Sequence, residues 1–191
     1  MAVVEPIRSK KKIDELIKCL TENYTRRDAM LFRLGVNTIL RIGDLLKLKY
    51  SDVFDEYDEY RSYLILSEQK TRKAKKIALN GKIRRYLRKY CQHYDLTGDD
   101  YIFFSYRIPT KAIDRIQAWR VLKDAATRCK IENFGTHTMR KTLAYHVYKK
   151  TNNIGLVMEM LNHSNPAVTM RYIGINQELI DAIYNDPDFQ Y

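Results

Sequence analysis

Two side chains of this 191-residue sequence, His137 and Arg140, are three residues apart inside a helical pattern. At that spacing both leave the same face of a helix, which places an imidazole beside a guanidinium. An imidazole exchanges protons near neutral pH, and a guanidinium offers paired N–H donors to an anion. The pair therefore suits proton transfer on a bound anionic group, although a surface histidine beside an incidental arginine would give the same spacing.

His163 and Tyr172 form a second pair, nine residues apart. On one continuous helix, at about 100° per residue, these side chains would point to opposite faces. The Asn165–Pro166 step interrupts the helix, because proline disfavours helical backbone at the residue before it, and this break lets the tyrosine turn back toward His163. The pair then offers a phenol nucleophile beside an imidazole. Tyr172 is also one of fifteen tyrosines, so a packing role is the alternative.

Two further cations stand out by their positions. Arg41 lies in the apolar stretch from Ile39 to Gly43, and a buried charge requires a partner or a ligand. Asp44, about one helical turn on, is the structural candidate for that partner. Lys70 is expected at the tip of a hairpin, where simple exposure to solvent is the alternative.

The positive charge is concentrated in one part of the chain. The sequence has 34 Lys and Arg against 23 Asp and Glu, a net charge of +11 and a pI of about 9.5. Between residues 68 and 91 a single acid accompanies ten bases, which are Lys70, Arg72, Lys73, Lys75, Lys76, Lys82, Arg84, Arg85, Arg88 and Lys89. A basic run on one helix is often a solvated face, but this run crosses a hairpin and a helix, which favours a phosphate-binding surface.

Composition excludes several classes of protein. With 45% hydrophobic and 12% aromatic residues, the chain can build one sizeable core and is not intrinsically disordered. Its longest aliphatic or aromatic runs are four residues, against the ~20 needed to span a bilayer. The N-terminus lacks the apolar stretch of a secretory signal, so we expect a cytoplasmic protein without membrane contact. Three widely spaced cysteines, with no CxxC, HExxH or carboxylate cluster near the polar pairs, predict neither a disulfide framework nor a metal or cofactor.

The periodicity of apolar residues predicts a mainly α fold with a small antiparallel β-hairpin or three-stranded sheet. The strands are expected at Ser62–Leu66 and Lys76–Leu79, on either side of the polar stretch that contains Lys70. Helical spacing covers most of the rest, in the first fifty residues, around residues 83–90 and 113–122, and across 136–150, 153–161 and 166–172. Because no linker or repeat interrupts this pattern, we expect residues 1–191 to form one domain.

Taken together and in this order, these residues resemble the tyrosine recombinase (phage integrase) family. The family's signature is an Arg, a hairpin Lys, an HxxR pair, a His and a Tyr nine residues later. The matching segments are LGVNTILRIGDLLKLKYSDV, SEQKTRKAKKIAL, HTMRKTLAYHVY and LNHSNPAVTMRY, and the resemblance extends from about Ile13 to Tyr172.

Two departures from the family pattern are visible. The segment Asn37–Leu40 replaces the Thr-Gly-Leu that commonly precedes the first Arg, which bears on local backbone freedom but not on the catalytic group. Typical integrases also carry a separate core-binding domain, and here only about a dozen residues precede the first expected helix. The sequence therefore predicts a single catalytic domain, either a naturally minimal recombinase similar to the fimbrial-switch invertases or an excised domain.

The resemblance implies the catalytic-domain fold of tyrosine recombinases and a site-specific recombinase that integrates, excises or inverts DNA. Tyr172 would attack a DNA phosphate and form a 3′-phosphotyrosyl link, with His137 assisting removal of its proton. Arg41 and Arg140 would hold the phosphate and His163 would add a donor. The guanidinium pair would take the place of a metal ion.

The resemblance also implies contacts outside these residues. Lys70 would be the general acid for the leaving 5′ oxygen. The basic segment around it would bind double-stranded DNA through Arg72, Lys73, Lys75, Lys76, Arg84 and Arg85. Four copies would assemble on DNA in a synapse, in which the acidic segment after Tyr172 packs on a neighbouring protomer, with docking on its own core as the alternative.

Three other functions are compatible with parts of the pattern. A type IB topoisomerase uses a similar constellation but relaxes supercoils as a monomer. A DNA-binding regulator could keep the fold without the chemistry, although the complete constellation argues against it. An unrelated basic helical protein would require every match to be a coincidence.

Overall fold

The computed structural model describes residues 4–67 and 74–189. The helices in this part of the chain are α1 Lys10–Asn23, α2 Arg26–Thr38, α3 Ile42–Leu46, α4 Tyr50–Val53, α5 Gly81–His93, α6 Arg115–Arg128, α7 Thr138–Thr151, α8 Ile154–Leu161, α9 Pro166–Ile173 and α10 Ile175–Tyr184, followed by a 3₁₀ turn at Pro187–Phe189. The strands are β1 Leu64–Ser67 and β2 Ala74–Ile77. None of the helices described is long and apolar enough to cross a membrane.

Helix α2 lies at the centre of the molecule and packs against α1, α5, α6 and α7. Most of its residues are buried, and Phe32 and Leu34 are completely inaccessible to solvent. Its first turn is capped by the Thr25 side chain, which accepts a hydrogen bond from the Asp28 backbone. The apolar periodicity around Met30 and Leu34 therefore predicts this helix correctly, but not that nearly every side of it is covered.

A second, smaller core joins α7, α8 and α9. It contains seven buried side chains, which are Ile39, Ala144, Tyr145, Val157, Leu161, Ile173 and Ile175. The two histidines, Arg140 and the tyrosine singled out above lie on or next to the helices that this core holds together. Its packing therefore sets how these side chains are placed relative to one another.

The contact between α2 and α7 depends on a glycine. A Cβ atom added to Gly35 would lie 2.4 Å from Sδ of Met139, much closer than such atoms approach. Glycine at this position leaves room for the Met139 side chain between the two helices. Because α2 leads into Arg41 and α7 carries Arg140, this contact brings the two arginine-bearing segments together.

The hairpin predicted between Val53 and Leu79 is present with two strands in the described residues. β1 and β2 are antiparallel, with Leu64 opposite Ile77 and Ser67 opposite Ala74. The strand ends differ from the predicted ones by one or two residues, since pairing across the hairpin, which sequence alone does not show, determines where strands end. Lys70, Arg72 and Lys73 lie outside the described residues.

The segment before α1 runs across α7 and is held by long-range hydrogen bonds. The backbone N–H of Ile7 donates to Oγ1 of Thr142 at 2.9 Å, and the backbone oxygen of Ile7 is 3.0 Å from Nε2 of His146. Nearby, Nζ of Lys141 donates to the backbone oxygen of Val4 at 2.7 Å. Residues 4–7 thereby brace the outer side of the helix that carries Arg140.

Candidate active site

Arg140 is a buried cation at the junction of three segments. Only 3% of its surface is exposed, and Nη1 donates to the backbone oxygen of Ile39 while Nη2 donates to that of Leu161, both at 2.7 Å. Ile39 ends α2 and Leu161 ends α8, so these carbonyls are at helix C-termini, where a cation is favoured. The guanidinium therefore ties the ends of two helices to α7.

The backbone at Ile39 adopts an unusual conformation. Its φ is 53°, in the left-handed region, where a β-branched residue is strained. The resemblance leads one to expect glycine here, since Thr38 and Leu40 match the other two residues of Thr-Gly-Leu. Burial of the isoleucine in the second core and the Arg140 hydrogen bond hold this conformation. The departure noted in the sequence therefore coincides with a strained turn directly before Arg41.

Arg41 follows this turn as the N-cap residue of α3 and is half-buried. Its positive charge lowers the pKa of both His137 and Tyr172, although burial has the larger effect on each pKa. The arginine is thus close enough to share a site with them, as the sequence predicts.

His137 lies at the N-cap position of α7, one residue before the helix in which the sequence placed it. Its Nδ1 is 3.4 Å from the hydroxyl oxygen of Tyr172, a long contact of the kind seen in active sites without substrate. The protein atoms packed around the ring lower the pKa of His137, because they disfavour its charged form. The nearby cations, chiefly Arg140, lower it further. The side chain is partly exposed, so this neutral imidazole faces both the tyrosine and solvent.

Tyr172 lies on α9 between the two histidines. Its ring is edge-on to those of His163 and His137, at centroid distances of 5.2 Å and 6.4 Å. Burial raises the pKa of Tyr172, while the charge and hydrogen bond of Arg140 act in the opposite direction. The ammonium group of Lys141 lies 4.8 Å from the ring centre, a cation–π contact. The phenol is therefore protonated at neutral pH and needs a base to become a nucleophile.

The break between α8 and α9 is as predicted. Helix α8 ends at Leu161 and α9 begins at Pro166, whose preceding residue Asn165 caps the helix by accepting hydrogen bonds from two backbone N–H groups. His163 lies in this turn, and its Nδ1 is 3.1 Å from Oγ1 of Thr169. The turn reverses the chain so that His163 and Tyr172 meet.

The structure thus brings together the five predicted site residues it describes, Arg41, His137, Arg140, His163 and Tyr172. Within the described residues, no group of three or more His, Cys, Asp or Glu side chains is arranged to hold a metal ion. The sixth predicted site residue, Lys70, lies outside the described residues.

The described residues that the sequence predicts to contact DNA differ in their exposure and in their contacts within the protein. Nζ of Lys75 donates to the backbone oxygen of Met160 at 2.5 Å, which joins the hairpin to α8. Arg84 is half-buried over the ring of Tyr60, whereas Lys76 and Arg85 are exposed.

Sequence reasoning missed the roles of Lys75, Lys141 and Thr169 in this region. Only Thr169 had a usable signal, since it precedes Tyr172 by three residues and so shares a helix face with it. The other two make hydrogen bonds to carbonyls 85 and 137 residues away in the sequence.

The arrangement can transfer a group to or from an oxygen nucleophile. A phenol adjoins a neutral imidazole that can take its proton, and two guanidinium groups lie close enough to bind the anion on which the phenol would act. Such an arrangement is suited to covalent catalysis on a phosphate or a similar anion.

Known proteins are similar to this chain in sequence and in fold. The phage integrase family profile matches residues 8–178. The probable integrase/recombinase YoeC of Bacillus subtilis (strain 168) is 41% identical over 184 residues, covering 96% of this chain and 97% of that protein.

Two solved structures are also similar. The crystal structure of XerA recombinase has a TM-score of 0.73 at 21% identity, covering 98% of this chain and 66% of the other. A lambda integrase tetramer bound to a Holliday junction has a TM-score of 0.67 at 18% identity, covering 90% of this chain and 49% of that one. The chain therefore spans about two thirds of the first of these proteins and about half of the second. The structural similarity confirms the fold predicted from the sequence.

Proposed function

The chain belongs to the phage integrase family and is a site-specific recombinase of the tyrosine type, and we propose that it cleaves and rejoins double-stranded DNA through Tyr172. The phenol oxygen attacks the phosphorus, its proton passes to Nδ1 of His137, and the bond to the 5′ oxygen breaks. The product is a 3′-phosphotyrosyl link and a 5′ hydroxyl, whose proton comes from a general acid, for which we propose Lys70. One phosphoester replaces another, so the step reverses to rejoin a strand without an external energy source.

The phosphate would be bound by Arg41, Arg140 and His163. A guanidinium donates two parallel hydrogen bonds to phosphate oxygens, which stabilises the charge that develops in the transition state. The observation that carries the proposal is the position of the Tyr172 hydroxyl. It lies next to His137, whose pKa is lowered, and it also interacts with Arg140 through a hydrogen bond.

Covalent trapping tests this proposal. The protein is incubated in excess EDTA with a pool of nicked suicide duplexes of random sequence, from which cleaved sites are recovered as protein-linked DNA. We expect an adduct on Tyr172, no adduct with Tyr172→Phe, and normal DNA binding by that variant. Tyr184→Phe is the matched control, because this other C-terminal tyrosine is 80% exposed on α10 and should be dispensable. A normal yield of adduct with Tyr172→Phe, or a requirement for Mg²⁺, would contradict the mechanism.

We also propose that several copies assemble on DNA through the segment after Tyr172. Helix α10 contacts its own protomer through Glu178, which accepts a hydrogen bond from Tyr145 at 2.8 Å and pairs with Lys149 at 3.6 Å. Three apolar side chains further along this helix remain 45% to 56% exposed, namely Leu179, Ile180 and Ile183. A face of this kind favours contact with another protein surface.

Deleting residues 176–191 tests the assembly. Cleavage of a single site should survive while strand exchange between two sites is lost, as expected if α10 binds a second protomer. An equal loss of both, with a lower melting temperature, would show that α10 stabilises its own fold. Relaxation of supercoiled plasmid without strand exchange by the intact chain would instead favour the topoisomerase alternative.

Two further expectations stay predictions. One is that residues 1–191 act as a single catalytic domain, and the other is a cytoplasmic location. Action on DNA is compatible with both.

A further inference from the structure

Thr169 is a completely buried polar side chain in the site, with no role in the mechanism above. It lies on α9 three residues before Tyr172, so both side chains are on neighbouring faces of one helix. Its hydroxyl oxygen is 3.0 Å from the backbone oxygen of Asn165 and 3.1 Å from Nδ1 of His163. The hydroxyl thus connects the turn that holds His163 to the helix that holds the nucleophile.

The two contacts of this hydroxyl determine where hydrogen atoms lie. A threonine hydroxyl has one hydrogen, and a backbone carbonyl can only accept. Two oxygens 3.0 Å apart without a hydrogen between them would repel, so the Thr169 hydroxyl donates to Asn165, a common bond to the residue four positions earlier. The remaining contact then requires that Nδ1 of His163 carry a proton and donate it to Thr169.

We propose that Thr169 is a positioning residue that holds His163 in the form protonated on Nδ1. In the neutral ring Nε2 then carries a lone pair and can only accept a hydrogen bond. When the ring becomes charged, the added proton binds to Nε2, which can then donate. The same hydrogen bond orients the ring edge-on to Tyr172, at an interplanar angle of 87°. The conformation and the tautomer of His163 are therefore set by one buried hydroxyl.

The consequence for catalysis rests on the proposed function. Phosphate oxygens accept hydrogen bonds, so His163 can donate to the phosphate from Nε2 only as an imidazolium. Its role as a phosphate donor therefore requires the charged ring, whereas the neutral ring presents an acceptor at that atom. A neutral imidazole protonated on Nε2 instead of Nδ1 could donate to the phosphate from Nε2 without becoming charged.

The tautomer is measured directly by long-range ¹H–¹⁵N correlation spectra of the whole chain labelled at histidine. Spectra are recorded without DNA, above the ordinary histidine pKa of about 6.5, and His163→Gln identifies the signals of that residue. We expect a protonated Nδ1 and an unprotonated Nε2 in the wild type and in Thr169→Ser. In Thr169→Val, which keeps the shape and removes the hydroxyl, Nε2 should become protonated. A wild type protonated on Nε2, or a valine variant that keeps the proton on Nδ1, would overturn the proposal.

Activity forms the second arm of the test. On the duplex selected by covalent trapping, cleavage by Thr169→Val should fall about ten- to hundredfold, by analogy with the loss of a group that orients a metal-binding histidine. Thr169→Ser should retain most of the activity at a similar melting temperature. Cleavage by the valine variant at the wild-type rate, despite a changed tautomer, would show that this hydroxyl does not serve the reaction. If the valine variant does not fold, the wild-type and serine spectra still decide the assignment. If the wild type forms no adduct, the proposed function fails, while the spectra still report on the Thr169 hydrogen bond.

Discussion

At the scale of single residues, the site is characterised by two neighbouring groups with pKa shifts of opposite sign. Desolvation lowers the pKa of His137 and raises that of Tyr172, because in each case it disfavours the charged form. The histidine is therefore neutral and the tyrosine protonated near pH 7. Such a pair is poised for one proton to move from phenol to imidazole only when a bound phosphate makes the attack productive.

The pH dependence of cleavage follows from these directions. Below the pKa of His137 the ring is protonated and cannot accept a proton, so the rate should rise with pH through a pKa below about 6.5. Single-turnover cleavage at subsaturating DNA measures this, because it reports on groups of the free protein. His137→Gln should be slower throughout and lack the rise. The proposed donor role of His163 needs its charged ring, so loss of that charge would lower the rate as the pH rises. The role of His137 is therefore judged by comparing the two profiles, and a rise that persists unchanged in His137→Gln would contradict it.

Replacing each arginine by lysine separates binding of phosphate from support of the fold. Both Arg41→Lys and Arg140→Lys keep the charge but lose the paired donors, so each should cost about 3 kcal/mol or more in the transition state. Arg140 also bonds the carbonyls of Ile39 and Leu161, so its variant should in addition show a clearly lower melting temperature. Single-turnover rates and thermal unfolding measure the two effects. Full activity of either variant would remove that arginine from the mechanism.

At the scale of elements, the site depends on how closely α2 and α7 approach. These helices bring the segments carrying Arg41 and Arg140 together, and Gly35 leaves room between them for the Met139 side chain. The hydrogen bond from Arg140 to Ile39 then closes the junction. Packing between helices and the geometry of the anion site are therefore coupled.

Gly35→Ala tests this coupling. Alanine favours helix by up to about 1 kcal/mol over glycine. However, its Cβ would lie 2.4 Å from Sδ of Met139, and overpacking typically costs about 1–3 kcal/mol. We expect a net loss of stability in urea unfolding, together with slower cleavage.

The matched control is Gly81→Ala at the start of α5. A Cβ there meets nothing within 4 Å, so stability should stay the same or rise slightly. An equal effect of the two substitutions would show that the Gly35 contact does not limit the approach of the helices.

At the scale of the whole molecule, the net charge of +11 is unevenly presented. Arg88 of α5 is stacked 4.6 Å from the Tyr60 ring and is paired with Glu59 at 3.7 Å, so its charge is used within the protein. By contrast, four bases on β2 and α5 are exposed, namely Lys76, Lys82, Arg85 and Lys89. Among the described residues, the basic surface available to DNA is therefore smaller than the basic run in the sequence.

The salt dependence of DNA binding measures that surface. If each of the four exposed bases neutralises one phosphate, together they contribute about −3.6 to the slope of log K against log salt. Arg85→Ala should reduce the slope by about 0.9 and weaken binding to all sequences alike. Arg88→Ala is the matched control, since it should lower stability and leave the slope unchanged. A slope for Arg85→Ala that equals that of the wild type would place Arg85 outside the DNA interface.

The sequence by itself determined the order of the five residues that the structure brings together and the helices that carry Arg140 and Tyr172. These features depend on local rules. The Asn165–Pro166 step starts α9 whatever surrounds it, because asparagine caps a helix and proline suits its first turn. The three-residue spacing of His137 and Arg140 likewise brings their side chains to one side wherever α7 lies. The tyrosine's approach to His163 could therefore be predicted.

Only the tertiary structure decided what each charged group binds. Arg140 bonds carbonyls that are 101 and 21 residues away in the sequence, and Lys75 bonds one 85 residues away. Arg84, which the sequence predicts to contact DNA, lies half-buried over the ring of Tyr60. The direction of each pKa shift likewise comes from burial and from charges that packing brings near. Such contacts arise when distant segments fold together, so no local pattern encodes them.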